Sequence, residues 1–277
     1  MRDTLIITDL DGTLLNNKNE ISRLNEKWIK KFMAVGGLFT FATGRMEKTA
    51  LPYADLLKVD LPLITYNGAK LYCTTTDLAL YEKTLKIQES AWEVITETNK
   101  NKERGVFIYS EGKPFILERN NIVDEFENKE KVQCILKDRN HFINKPVTKV
   151  LIIMKDVPSL HKVDQKIKND PLECETVFSE LNYLEILPKE VSKGNGLTEL
   201  IKYLDRSIPL RTIAFGDNLN DIPLLETAEI GVAVQNAQPE LKAVSDIVTT
   251  QSNEEDAIAH VIQNILFEDK DEFILNM

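Results

Sequence analysis

The sequence predicts an α/β chain: a doubly wound core with a parallel sheet, interrupted by one inserted α+β domain. Three observations predict it. The apolar run Leu5-Ile6-Ile7 has no polar alternation, as suits a central strand covered on both faces, and two acids, Asp9 and Asp11, follow it. Strand and helix signals alternate up to about residue 81 and again after about residue 187. Between them the pattern shifts to short strands and isolated helices. The expected division is a discontinuous core, 1–81 with 188–277, and an inserted domain, 82–187.

The first strand runs into Asp9-Leu10-Asp11-Gly12-Thr13. Side chains alternate along a strand, so Asp9 and Asp11 are expected on one side, with a sharp turn at Gly12. Asp-Gly between apolar runs also signals a hairpin, but the polar stretch Asn16-Asn17-Lys18-Asn19-Glu20 offers it no partner strand. Ser22 is placed to cap a helix carrying Leu24, Trp28, Phe32 and Val35, and Gly36-Gly37 ends it. Leu38-Phe39-Thr40-Phe41-Ala42 is the second strand, parallel to the first by a right-handed crossover. A helix through Leu51 and Leu57 follows, then the strand Leu63-Ile64-Thr65-Tyr66.

In the inserted stretch a helix is expected around Trp92 and Ile95, and strands at 106–109 and 115–117 about a turn at 111–114. A strand at 147–154, a helix at 160–167 and strands at 175–178 and 183–187 complete it. Alternation then resumes, with helices at 197–204, 222–227 and 256–267 and strands at 212–215, 231–234 and 246–249. The tail 268–277 receives no assignment.

Composition narrows the function. With 277 residues, 43% of them apolar, the chain can bury a sizeable core. A net charge of −10 opposes nucleic-acid binding, which needs a basic face. A phosphorylated small molecule stays open, because a pocket can be locally positive. The three widely spaced cysteines suit a reduced, cytoplasmic protein rather than a disulfide framework. The N-terminal apolar run is too short for a signal peptide, and no stretch is long enough to span a membrane.

Four clusters carry the chemistry, each at the carboxyl end of a strand or in a loop beside it, where open parallel sheets bind ligands. They are Asp9 with Asp11, Thr43-Gly44-Arg45, Lys193-Gly194, and Gly216-Asp217-Asn218-Leu219-Asn220-Asp221. Paired carboxylates make a hard-oxygen site suited to Mg²⁺. Thr43-Gly44 has the hydroxyl and backbone N–H groups that hold phosphate at the start of a helix. Alone, each has a plainer reading: a strand-to-helix turn, a solvated lysine, a helix cap.

Together, in type and order, the clusters resemble the motifs of the haloacid dehalogenase (HAD) superfamily. The wording is similar to its Cof-type subfamily: DLDGTLL at Asp9–Leu15, ATGR at Ala42–Arg45, YNGA at Tyr66–Ala69, KG at Lys193-Gly194, GDNLND at Gly216–Asp221 and NA at Asn236-Ala237. Gln235 and Ala257 stand where that subfamily more often has glycine. The resemblance implies a HAD core with a type IIB cap inserted in it. It implies Asp9 as nucleophile and Asp11 as general acid/base. Leu10, Thr43, Gly44, Lys193 and Asn220 would bind the phosphoryl group. Mg²⁺ would be held by Asp9, the Asp11 carbonyl and Asp217, with Asp221 close behind. The expected activity is Mg²⁺-dependent hydrolysis of a small phosphorylated metabolite, foremost a sugar phosphate. A phosphosugar mutase and a non-catalytic regulatory module on the same fold are the alternatives. Oligomeric state is not legible.

Overall fold

The computed structural model describes residues 3–85, 87, 89–99, 103–169, 174–205 and 209–267. The chain divides into two compact units, one of residues 1–45, 50–80 and 192–277, the other of residues 46–49 and 81–191. In chain order the elements begin with β1 (Thr4–Thr8), α1 (Arg23–Ala34), β2 (Leu38–Phe41), α2 (Glu47–Leu57), β3 (Leu63–Thr65), β4 (Lys70–Cys73) and β5 (Leu78–Glu82). Then come α3 (Glu89–Asn99), β6 (Arg104–Ser110), β7 (Lys113–Ile116), α4 (Asn121–Glu130), β8 (Ile135–Leu136), β9 (Lys149–Met154), α5 (Val157–Asn169), β10 (Cys174–Glu180) and β11 (Tyr183–Pro188). The chain closes with α6 (Lys193–Leu204), β12 (Arg211–Gly216), α7 (Ile222–Thr227), β13 (Ile230–Ala233), α8 (Pro239–Val244), β14 (Ile247–Val248) and α9 (Ala257–Phe267).

In the first unit, five strands form one sheet in the order β14-β13-β12-β1-β2. Each neighbouring pair is parallel. The register pairs Ile6 with Ile213 on one side and with Phe39 on the other. These apolar runs are strands because both faces are covered. Ile6, Phe39, Phe41, Ile213 and Phe215 join Trp28, Ile29 and Phe32 of α1 and Ile258, Val261 and Ile262 of α9 in one buried core. Ser22 caps α1 as expected, its hydroxyl accepting from the Asn25 N–H at 3.0 Å. Parallel pairing brings the carboxyl ends of β1, β2 and β12 side by side, which gathers the loops that follow them.

In the second unit, six strands form a sheet in the order β10-β11-β9-β6-β7-β8, antiparallel except for β7 with β8. Ile108, Val150, Ile152 and Leu184 lie on the face that packs with Trp92 and Ile95 of α3 and Leu160, Val163 and Ile167 of α5.

Several expectations need correction. The strand 63–66 stops at Thr65, because Tyr66 takes a positive φ of 51°. The turn between β6 and β7 is confined to Glu111 and Gly112, both at positive φ, and Pro114 lies within β7. Helices α4 and α8 and the strands β4, β5 and β8 are additional elements. Helix α6 begins four residues early, so Lys193 sits in its first turn rather than in a loop. The tail 268–277 lies outside the described residues. Among the described residues, no helix is long and apolar enough to cross a membrane.

Candidate active site

The site is built where β1, β12 and α6 meet. Asp9 follows β1 directly and its N–H donates to the Phe215 carbonyl at 3.0 Å, continuing the β1–β12 ladder by one residue. Its side chain is buried. Lys193, in the first turn of α6, is fully buried, and its ammonium donates to Asp9 Oδ1 at 2.6 Å and to Asp221 Oδ1 at 2.5 Å. Asp221 is fully buried too, and its other oxygen accepts from the N–H groups of Asp217 and Asn218, each at 3.0 Å. The plainer reading of this cluster, a helix cap, is therefore present as well, and the same carboxylate serves Lys193. Asp217 accepts from the Thr13 hydroxyl at 2.8 Å.

Asp9, Asp217 and Asp221 each offer a carboxylate oxygen within 4.8 Å of the others. With Lys193 among them, full ionisation leaves two uncompensated negative charges in a poorly hydrated place. The protonation equilibria respond. Burial pushes Asp9 well above the ordinary carboxylate range, Lys193 opposes the rise, and Asp221, Asp217 and Asp11 add to it. Burial and then Asp221 push Asp217 up to about 7, against the Thr13 hydrogen bond. Burial would push the Lys193 ammonium down, but Asp221 and Asp9 outweigh it and hold lysine above its ordinary range. Hard oxygen donors with surplus negative charge fit a divalent cation such as Mg²⁺, and a cluster that among the described residues holds no sulfur or imidazole donor disfavours zinc.

Gly12 is required here on two counts. Its φ is +78°, and a Cβ at this position would lie 2.4 Å from Asp217 Oδ2. The turn is held from within by the Leu10 carbonyl, which accepts from the Leu14 and Leu15 N–H groups at 3.1 and 2.8 Å. The Leu10 side chain is apolar and fully buried, so a phosphoryl contact at Leu10 has only the backbone N–H to use.

Three expectations about this site change. Asp9 and Asp11 do not both lie on β1, which ends at Thr8: Asp9 extends its ladder by one hydrogen bond, and Asp11 lies in the turn beyond. The Asp11 carboxylate is outside the three-acid cluster. It is half exposed, and both its oxygens accept from Arg45, at 2.7 Å from Nε and 2.6 Å from the terminal nitrogen. Thr43 and Gly44 do not open a helix, since α2 begins at Glu47. Thr43 is instead fully buried in a loop, its hydroxyl accepting from the Arg45 N–H at 3.1 Å.

Residues with no assigned role also take part. Arg45 was legible as a member of the Thr43-Gly44-Arg45 cluster and of the ATGR motif, but without a role of its own. Asn236, from the NA motif, donates to the Gly12 carbonyl at 2.8 Å and accepts from the Asn253 N–H at 2.9 Å, bracing the turn that carries Asp11. Asn67, from the YNGA motif, accepts from Asn220 Nδ2 at 3.0 Å. Their signal was polar residues in motifs at the ends of apolar strands.

Comparison with known proteins agrees with this geometry. Two 5-amino-6-(5-phospho-D-ribitylamino)uracil phosphatases of Bacillus subtilis strain 168 are 27% and 29% identical to the chain. Each match covers 94% of the chain, and 96% and 97% of the respective relative. The crystal structure of a haloacid dehalogenase-like hydrolase from Bacteroides thetaiotaomicron superposes with a TM-score of 0.80 at 27% identity. That match covers 95% of this chain and 99% of the other. The family of haloacid dehalogenase-like hydrolases matches residues 6–262, nearly the whole core together with the insertion. The chain belongs to the haloacid dehalogenase-like hydrolase family and is a phosphatase of its Cof type.

Proposed function

We propose that the chain hydrolyses a small phosphorylated metabolite, with a sugar phosphate as the foremost class, using Mg²⁺ and a phosphoryl group carried transiently on Asp9. The observation that carries this reading is the fully buried Lys193 paired to both Asp9 and Asp221, with Asp217 beside them. A carboxylate and a phosphate repel each other, so a nucleophilic aspartate needs fixed positive charge at its side. Lys193 supplies one such charge at 2.6 Å. Asp9 and Asp217 would hold Mg²⁺, with the Asp11 carbonyl. Asp221 adds its charge from behind, both its oxygens being engaged already. When bound, the ion would neutralise the carboxylate cluster and draw charge from the phosphoryl oxygens.

In the first step an Asp9 oxygen bonds to phosphorus, the ester P–O bond breaks, and Asp11 gives a proton to the leaving oxygen. In the second step water bonds to phosphorus and yields its proton to Asp11. The P–O bond to Asp9 breaks and inorganic phosphate leaves. The Arg45 fork, which takes both Asp11 oxygens, would hold Asp11 in its ionised state, between the first step and the second. To donate its proton, Asp11 must turn one oxygen out of that fork. The names of the Bacillus subtilis relatives state a phosphorylated ribitylamino compound, which supports a polyhydroxylated substrate. The unit built largely from residues 81–191 is assigned to substrate selection, as a cap.

The test is release of inorganic phosphate from a panel of sugar and polyol phosphates with Mg²⁺, for the wild type and Asp9→Asn. Free phosphate separates hydrolysis from a mutase, which returns the group to its sugar. Asp9→Asn is expected to lose turnover by about 10³-fold or more and to melt no lower than wild type without metal, since one buried charge is gone. Wild-type turnover in Asp9→Asn would overturn the covalent route.

A further inference from the structure

Between β3 and β4, Tyr66, Asn67 and Gly68 all have positive φ, at 51°, 55° and 100°. Three consecutive residues in this region are not a low-energy turn for two L side chains, and such strain persists where surroundings dictate it. The surroundings here are three of the four chemical clusters. The Asn67 N–H donates to the Thr43 carbonyl at 2.9 Å, and the Tyr66 N–H to the Arg45 carbonyl at 3.0 Å. Gly68 lies against the start of α6: a Cβ on it would stand 2.0 Å from the Ser192 carbonyl oxygen and 3.4 Å from the Lys193 nitrogen. The Asn67 side chain, 1% exposed, accepts from Asn220 Nδ2 at 3.0 Å. One tripeptide thus touches the segments carrying Thr43, Lys193 and Asn220.

The contact with Asn220 has a chemical consequence. An asparagine amide has a donating end and an accepting end of nearly equal shape. Only the donating end is attracted to a phosphoryl oxygen. The Asn220 Oδ1 is buried and has no hydrogen-bond partner among the described residues, so nothing seen on that end fixes the amide. The oxygen of Asn67 fixes the other end. It engages one N–H of the Asn220 amide and leaves the second N–H of the same nitrogen for an anion. Asparagine also tolerates the left-handed backbone at this position better than most residues.

We propose that Asn67 is a positioning residue that sets which way round the Asn220 amide sits, so that Asn220 presents N–H rather than C=O to the phosphoryl group. The proposal rests on the phosphate-binding role that the family resemblance implies for Asn220. Asn67→Gly deletes the amide while keeping a residue at ease at φ 55°, which separates the side chain from the backbone. The experiment is a double-mutant cycle with Asn220→Ala, reading the inhibition constant of inorganic phosphate and kcat/KM for p-nitrophenyl phosphate, with a melting curve for each variant.

Asn67→Gly is expected to raise the phosphate inhibition constant and lower kcat/KM by roughly five- to tenfold. In the Asn220→Ala background the same substitution should change either quantity by less than about twofold. Equal effects in both backgrounds, or wild-type phosphate affinity in Asn67→Gly, would overturn the proposal, whatever the melting curves show. If Asn67→Gly does not fold, Asn67→Asp takes its place, since it keeps an acceptor of the same shape. Adding Asn220→Ala should then cost as much as it does in wild type, and a smaller cost would overturn the proposal. An Asn220→Ala protein that binds phosphate like wild type refutes the phosphate-binding role itself. A damaged Asn220→Ala with a silent Asn67→Gly refutes only the positioning.

Discussion

Removing the Asp217 charge should stabilise the metal-free protein and abolish most of its stabilisation by Mg²⁺. Asp217 ordinarily titrates near 3.8 but is pushed up to about 7 by burial and by Asp221. Between about pH 4 and about 7, the folded protein therefore holds a proton that the unfolded chain has released. Folded stability without metal must fall as pH rises through that window, and it is lowest above about 7. The full excursion corresponds to at most about 4 kcal/mol, and about half of that after relaxation and water entry. Asn at this position still accepts from the Thr13 hydroxyl, so the hydrogen bond at 2.8 Å need not be lost. In chelator at pH 8, Asp217→Asn should melt above wild type, by about 4–8 °C if 2 kcal/mol is recovered in a chain of this size. The gap should close as pH falls toward 5, where Asp217 is protonated. Saturating Mg²⁺ should raise the wild type by several degrees and the variant by much less. Thermal melts of both proteins over pH 5–8, with and without Mg²⁺, decide the matter. A variant melting below wild type at pH 8 in chelator would refute the picture of uncompensated charge.

Lys193→Met should lower kcat by roughly 10²–10³-fold and also lower the metal-free melting temperature, because it leaves Asp9 and Asp221 buried without their cation. An unchanged melting temperature would show that the pair carries no stability. Arg45→Lys cannot reproduce the two-point grip on Asp11, so it should slow hydrolysis of alkyl phosphates on the order of tenfold. It should affect p-nitrophenyl phosphate less, since that leaving group needs little proton donation. Equal losses on both esters would refute the assignment of Arg45 to positioning the acid. In the second unit, Lys149 and Glu185 form an ion pair at 3.1 Å, with both side chains 4% exposed. Lys149→Met alone should cost about 3–5 kcal/mol, and Lys149→Met with Glu185→Leu much less, as read by denaturant unfolding. A double variant as unstable as the single one would refute that account.

Most of the core was legible because its signals are local. β1, β2, β12 and β13 are apolar runs with no alternation, and a strand buried on both faces needs nothing else from its sequence. The Ser22 cap and the stripe Ile258, Val261, Ile262 and Ile265 are equally local, and each lies where it was expected. Helix α4 escaped because Asn121–Glu130 is rich in acids and offers only Ile122, Val123 and Phe126 to the interior. Strands β4 and β5 escaped because they follow a turn of unusual backbone, Tyr66-Asn67-Gly68, that no simple turn signature describes.

The site divides in the same way. Identities and order of the acids were readable, since a motif is a local object; their partners were not. Lys193 reads as a solvated lysine until Asp9, 184 residues away, and Asp221, 28 residues away, are folded against it. Its burial is conditional on an anionic partner, because an isolated ammonium there would lose its hydration with nothing in return. The same condition applies in reverse to the acids. Asp9 and Asp221 tolerate burial because Lys193 lies between them, while Asp217 has no cation at hydrogen-bonding distance among the described residues and settles for a hydroxyl. That imbalance follows from tertiary structure alone. It leaves Asp217 as a carboxylate with much to gain from an added cation, and the same imbalance that weakens the metal-free fold is what would strengthen cation binding. Stability and metal affinity at this site are therefore opposed, and substitutions that relieve one should erode the other.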